Sequence, residues 1–148
     1  MKLLFGSDHA GIHLRKKLVE WADRQGHLTE VFGAPSEEPF DYPDAADEVC
    51  QALLAGRGDL GVLICGSGIG ISIRANRHRG IHAALCCTPE MAELARLHNY
   101  ANIVCLGERL TQPDLAEAIL ARFIETGEDR QDRRERRVAK TDGPTDLN

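Results

Sequence analysis

The sequence predicts an α/β fold in which a doubly wound, five-stranded parallel sheet carries helices on both faces. Three observations lead there. Short apolar runs rich in Val, Ile, Leu and Cys recur along the chain, segments with the spacing of amphipathic helices lie between them, and the links are short. Runs that are apolar throughout belong to strands buried on both faces, as in a parallel sheet, and repeated strand-helix units close through right-handed crossovers. The length of 148 residues, 43% of them apolar, fits one globular domain, expected over residues 1–125.

Leu3 to Phe5 reads as the first strand, and Leu14, Leu18, Trp21 and Ala22 mark the helix after it, begun at a capping Asp8 and stopped at Gly26. Thr29 to Phe32 is the second strand. Its helix carries Ala46, Val49, Cys50, Leu53 and Leu54, with Pro43 in the first turn and Gly56 past the end. Gly61 to Cys65 and His82 to Cys87 are the third and fourth strands. Thr88 and Pro89 open the helix of Leu94, Ala95 and Leu97. Ile103 to Leu106 is the last strand, and the helix of Leu115, Ala118, Ile119 and Phe123 follows a cap at Thr111 and Pro113. Beyond Glu125 the composition changes. Thr126 to Lys140 is almost wholly polar, with Arg130, Arg133, Arg134, Arg136 and Arg137 interleaved with Glu128, Asp129, Asp132 and Glu135. Such a run is expected either as a solvated helix held by i,i+4 charge pairs or as an arm that docks on another subunit and delivers arginines there. Residues 141–148 are expected to be a disordered tail.

Charge and cysteine usage narrow the function classes. With 18 Lys plus Arg against 23 Asp plus Glu the net charge is -5, so the basic excess of a general nucleic-acid binder is missing. No apolar run approaches the roughly 20 residues of a membrane span, and a strand-like segment stands at the N-terminus in place of a signal peptide, so a cytoplasmic protein is expected. Five cysteines without a C-x-x-C pair indicate neither a disulfide framework nor a zinc ribbon.

In open parallel sheets, ligands collect at the carboxyl ends of the strands, near the point where strand order reverses. The loops to inspect are therefore Gly6 to Gly11, Cys65 to Ser72 and Gly107 to Arg109. In the second of these, Gly66, Gly68 and Gly70 alternate with Ser67 and Ile69 where a helix begins, exposing successive backbone N–H groups to an anion. The spacing departs from the dinucleotide fingerprint, and no P-loop lysine follows. Cys65 stands at the strand tip facing these amides, a position suited to a base or nucleophile. A phosphatase thiol would need an arginine closer than Arg74. The alternatives stay open: a tight turn for the glycines, and a small core residue for the thiol. His9 with His13, and His78 with His82, have metal-binding i,i+4 spacing, but no third ligand sits at a matching offset, so no metal site is predicted. Asp8 and His9 more naturally offer hydrogen bonds to hydroxyls or phosphate. His98 fits a helix C-terminus as a dipole partner.

Taken together, Gly6-Ser7-Asp8-His9-Ala10-Gly11, Asp41-Tyr42-Pro43, Cys65 to Ser72, Ala75-Asn76, His98-Asn99 and Gly107-Glu108-Arg109 resemble the ribose-5-phosphate isomerase B family, which includes isomerases of allose and galactose 6-phosphate. The resemblance implies a Rossmann-like sheet and a cofactor-free, metal-free aldose-ketose isomerase of a small-molecule sugar phosphate. It also implies a homodimer, or a dimer of dimers, whose active sites use residues of both subunits. In that likeness Cys65 is the base between C1 and C2, and Ser67 and His98 assist ring opening. Asp8, His9, Tyr42 and Asn99 line the sugar site with Gly66, Gly68, Ile69 and Gly70, and Arg109, Arg133 and Arg137 hold phosphate.

The chemistry agrees with the residues, because an enediolate requires a base and fixed N–H donors, which Cys65 and the glycine loop offer together. Some family members place a glutamate further along this loop; Ser72 and Ile73 offer no carboxylate, which favours the thiol. Arg74, Arg77 and Glu108 depart from the family pattern, and Arg74 and Glu108 leave substrate size and anion placement open. A five-carbon substrate, ribose 5-phosphate with ribulose 5-phosphate, is the first expectation. A six-carbon sugar phosphate, or a non-catalytic sugar-phosphate or nucleotide sensor, is the alternative.

Overall fold

The computed structural model describes residues 1–143. Five parallel strands, β1 (Lys2–Ser7), β2 (Leu28–Gly33), β3 (Leu60–Cys65), β4 (Ala83–Leu85) and β5 (Ile103–Gly107), stand in the order β2-β1-β3-β5-β4. The helices are α1 (Ile12–Arg24), α2 (Tyr42–Leu54), α3 (Ile69–Ala75), α4 (Pro89–Asn99), α5 (Pro113–Glu125) and α6 (Asp132–Thr141), and a 3-10 turn at His9–Gly11 leads into α1.

Alternation of side chains along the strands divides the core into two layers. Leu3, Phe5, Val62, Ile64, Val104 and Leu106 face α1, α4 and α5, whereas Leu4, Leu63, Cys65, Ile103 and Cys105 face α2 and α3. The inner strands β3 and β5 are buried at every position, as their unbroken apolar runs predict. The edge strands differ from expectation. β2 is half exposed, with Leu28 and Val31 open to solvent, and β4 is a three-residue strand inside the apolar run 82–87. An edge strand pairs on one side only, so its apolar residues need not all be covered.

Helix ends follow local chemistry. Pro43, Pro89 and Pro113 all sit in first turns, Thr88 Oγ1 accepts the Met91 N–H, and Gly26 and Gly56 take left-handed backbone angles one residue beyond the caps of α1 and α2. The cap of α5 is Gln112, not Thr111, which is buried.

The charged run is helix α6, with no buried residue. Arg134 and Val138 turn partly inward, whereas Arg133 and Arg137 are exposed. Tyr100 Oη donates to the Asp129 carbonyl at 3.1 Å before the helix, and His82 pairs with Asp142 at 2.7 Å after it, tying both ends to the α4–β4 side. Helical order thus runs through Thr141, and of the expected tail, residues 144–148 lie outside the described residues.

Candidate active site

Strand order reverses between β1 and β3, and their carboxyl ends, Ser7 and Cys65, therefore open the crevice where ligands bind in such sheets. A cavity of about 240 Å³ lies there. The loop after β1 contributes Asp8, His9 and Ala10, and the loop after β3 contributes Cys65, Gly66, Ser67 and Gly70. Tyr42 comes from the start of α2 and Arg109 from the loop after β5.

Each wall is held from behind. Asp8 is buried, and its Oδ1 accepts the Gly11 N–H at 3.0 Å, so it caps the 3-10 turn and not, as expected, α1, whose own N-cap is Gly11. Nδ1 of His9 lies 3.1 Å from both the backbone N and O of Phe40, which fixes the ring from one edge and leaves Nε2 for a ligand. Gly68 adopts φ 78°, a left-handed angle that a side chain disfavours, and this turn brings its N–H to Cys65 Sγ at 3.1 Å. Ser67 Oγ accepts the Ile69 N–H at 3.2 Å. The Tyr42 ring lies over Gly70, where a Cβ would stand 2.7 Å from Cζ, so only glycine admits the ring.

The remaining buried thiols do not line this cavity. Burial pushes Cys50 and Cys86 up to about 12, and Cys105 well above the ordinary thiol value. Cys65 is 4% exposed and is one of the residues lining the cavity.

Two departures from the family pattern find partners away from this cavity. Arg74 grips Asp47 of α2 through Nε and Nη2 at 2.7 and 2.8 Å, and this contact chiefly holds the Asp47 carboxyl below the usual range. Glu108 Oε2 accepts the Leu14 N–H of α1 at 3.2 Å. The guanidinium of Arg109 lies against Gly66.

Not every predicted residue reaches the cavity. Gly68 and Ile69 shape the loop, but neither lines the cavity, and Ile69 is half exposed. His98 and Asn99 stand in the last turn of α4, with Asn99 on a separate cavity of about 770 Å³ bounded by the α3–β4 connection, α4 and α6. Arg133 and Arg137 point outward from α6. Within one chain these four stay apart from Cys65. The candidate metal histidines have other partners: His9 on Phe40, His13 on Glu37, His78 on Asp47 and His82 on Asp142. Among the described residues no three His, Cys, Asp or Glu side chains cluster as a metal site, and no helix is long and apolar enough to cross a membrane. The Phe40 backbone contact, the Arg74–Asp47 pair and the reach of Glu108 had no sequence motif to announce them, since each joins segments distant along the chain.

Comparison with known proteins identifies the family. The family model for ribose/galactose isomerases matches residues 3–141. Ribose-5-phosphate isomerase B of Escherichia coli is 40% identical over 123 residues, 83% of each chain, and a D-erythrulose-4-phosphate isomerase of Pectobacterium atrosepticum is 33% identical over 126, covering 84% of this chain and 83% of that one. The crystal structure of a ribose 5-phosphate isomerase from Thermotoga maritima superposes with a TM-score of 0.93 at 47% identity, covering 95% of this chain and 97% of that one. With its sheet, its loops and nearly all of its described length accounted for by these relatives, the chain belongs to the ribose-5-phosphate isomerase B family of sugar-phosphate isomerases.

Proposed function

We propose that the enzyme interconverts ribose 5-phosphate and ribulose 5-phosphate, with Cys65 as the base and with no metal ion or cofactor. The Cys65 thiolate takes the C2 proton of the open-chain aldose, the released pair forms the C1–C2 double bond, and O1 takes up the charge of the enediolate. Returning that proton to C1, while the O2 proton passes to the medium and O1 gains one, yields the ketose. In this reading, glycine-loop N–H groups other than those of Gly68 and Ile69, which already bond Cys65 and Ser67, stabilise the developing oxyanion. Ser67 and His98 assist ring opening, and Asp8, His9, Tyr42 and Asn99 hold the hydroxyls. Arg109, Arg133 and Arg137 grip the phosphate, whose binding energy holds C1 and C2 against the sulfur. Since His98, Asn99, Arg133 and Arg137 lie apart from Cys65 in one chain, a second copy supplies them in a homodimer.

One observation carries this reading: the Gly68 N–H donates to Cys65 Sγ at a cavity that Arg109 shares. Proton exchange in heavy water tests it. The wild type is expected to exchange the C2 proton of ribose 5-phosphate, and Cys65→Ala to lose exchange and turnover by about a thousandfold while still binding inorganic phosphate. Undiminished exchange by Cys65→Ala would overturn the assignment, and phosphate binding by a wild type without exchange would point to a sensor. The Pectobacterium relative's description as a D-erythrulose-4-phosphate isomerase favours a second test, of chain length. A tetrose 4-phosphate has O4 blocked and cannot close a furanose, so the ring-opening pair favours five- or six-carbon substrates; comparing kcat/KM for ribose 5-phosphate, allose 6-phosphate and erythrulose 4-phosphate decides among them.

A further inference from the structure

We infer that Glu108 is a positioning residue, whose carboxylate locks the Arg109 loop and the Asp8–His9 turn into one anion-binding frame. The inference rests on the function proposed above. An acidic side chain next to a phosphate-gripping arginine would ordinarily repel the substrate, and the sequence places Glu108 immediately before Arg109. The structure turns this carboxylate elsewhere. Helix α1 begins at Gly11, which has no side chain to cap it, and its first turn holds no acidic residue. Glu108 Oε2 supplies the missing acceptor from 94 residues away, at 3.2 Å from the Leu14 nitrogen. A carboxylate is favoured there by both the open N–H group and the helix dipole.

The same residue is fixed through its backbone. Its N–H donates to the Cys65 carbonyl at 2.9 Å, and the next N–H, of Arg109, donates to the Gly66 carbonyl at 3.0 Å. Glu108 therefore joins three segments next to the cavity: the first turn of α1, which follows directly on the 3-10 turn of Asp8 and His9, the end of the Cys65 strand, and the Arg109 loop. Glu108 does not line the cavity. It acts on substrate only through the neighbours it holds. Truncating its side chain leaves these backbone bonds but removes the tie to α1, so that the α1 start, with the turn before it, can shift relative to the Arg109 guanidinium held against Gly66.

The sign of the kinetic change separates positioning from repulsion. Glu108→Ala is expected to raise KM for ribose 5-phosphate about tenfold with a smaller loss in kcat, and to weaken inorganic phosphate by a similar factor. Glu108→Gln keeps a carbonyl oxygen for the Leu14 N–H and is expected to restore wild-type KM to within about twofold. Glu108→Gln is isosteric and keeps the protein testable should the alanine variant not fold. A KM that falls in Glu108→Gln would show the carboxylate facing the substrate and overturn the inference. So would wild-type KM and phosphate affinity in a folded Glu108→Ala. If the wild type turns over no sugar phosphate, the proposed function fails, yet the phosphate titrations of the two variants still decide whether Glu108 orders the anion site.

Discussion

Two cavities among the described residues differ in what they gather, and the smaller gathers more of the reactive side chains. The one of about 240 Å³ holds Cys65, Asp8, His9, Tyr42 and Arg109, while the one of about 770 Å³ is lined by the α3–β4 connection and α6 and shares none of these. The small cavity sits where parallel strands end and helices begin, so backbone N–H groups, a strand-tip sulfur and loop side chains converge there. The large one lies beyond the short edge strand β4, where the sheet stops covering itself. What it does carry is Asn99, with Arg133 and Arg137 exposed on the helix that forms one wall. Under the proposed function the chemistry belongs at the strand ends, and the large cavity is the side on which a second copy would meet the chain.

Subunit mixing puts that contrast to its strongest test. Arg137→Ala alone is expected to weaken ribose 5-phosphate by about tenfold to a hundredfold, the loss of a charge-assisted phosphate contact. Assayed at substrate too dilute for that variant, Cys65→Ala and Arg137→Ala are each nearly inactive. If sites are built across a two-fold interface, dissociating and remixing them in equal parts regenerates about one quarter of the wild-type rate, because a heterodimer holds one site with neither change. No recovery after demonstrated subunit exchange would place both residues in one chain's site and reverse the reading of the large cavity.

A smaller effect concerns the frame of the small cavity. Arg15 is 6% exposed, and its Nη1 and Nη2 donate to the carbonyls of Phe32 and Ala34 at 2.9 and 2.8 Å. These carbonyls begin the loop that returns through Phe40, the partner of His9, to Tyr42. Arg15→Met keeps the aliphatic stem and strands both carbonyls, so a loss of about 2–3 kcal/mol is expected in denaturant melts, with a raised KM. Unchanged KM with the same stability loss would separate Arg15 from the site.

Much of this could be read from the chain alone, and the rest could not, for a physical reason. The inner strands β3 and β5 are legible because burial on both faces leaves unbroken apolar runs, and the prolines in first turns mark helix starts directly. β2 and β4 are less legible, since an edge strand's burial depends on neighbours that local sequence does not contain. In the site, Cys65, Gly68 and Gly70 form one local loop and could be found together. The grip of Arg74 on Asp47 joins residues 27 apart, and that of Glu108 on Leu14 residues 94 apart. Each read locally only as an unexplained charge, and the third dimension supplies its partner.

The smallest expected effect tests whether Cys65 differs from the thiols of the core. Cys50 and Cys86 are each raised to about 12, chiefly because burial disfavours the thiolate, whereas in the unfolded chain they titrate near 9. Between those values the unfolded chain has lost its protons and the native state retains them. Stability contributed by the buried thiols is therefore fully present below pH 9 and declines as pH rises toward 12. The expected slope is about 1 kcal/mol per thiol from pH 9 to 10, read from denaturant melts, and replacing Cys50 and Cys86 with Ala should flatten it by that amount. Over the same range iodoacetamide should modify Cys87, which is exposed, and Cys65 through its cavity, but not Cys50, Cys86 or Cys105 until the protein unfolds. Labelling of Cys65 that is as slow as that of Cys105 would count it among the core thiols and remove the base from the proposed proton transfer.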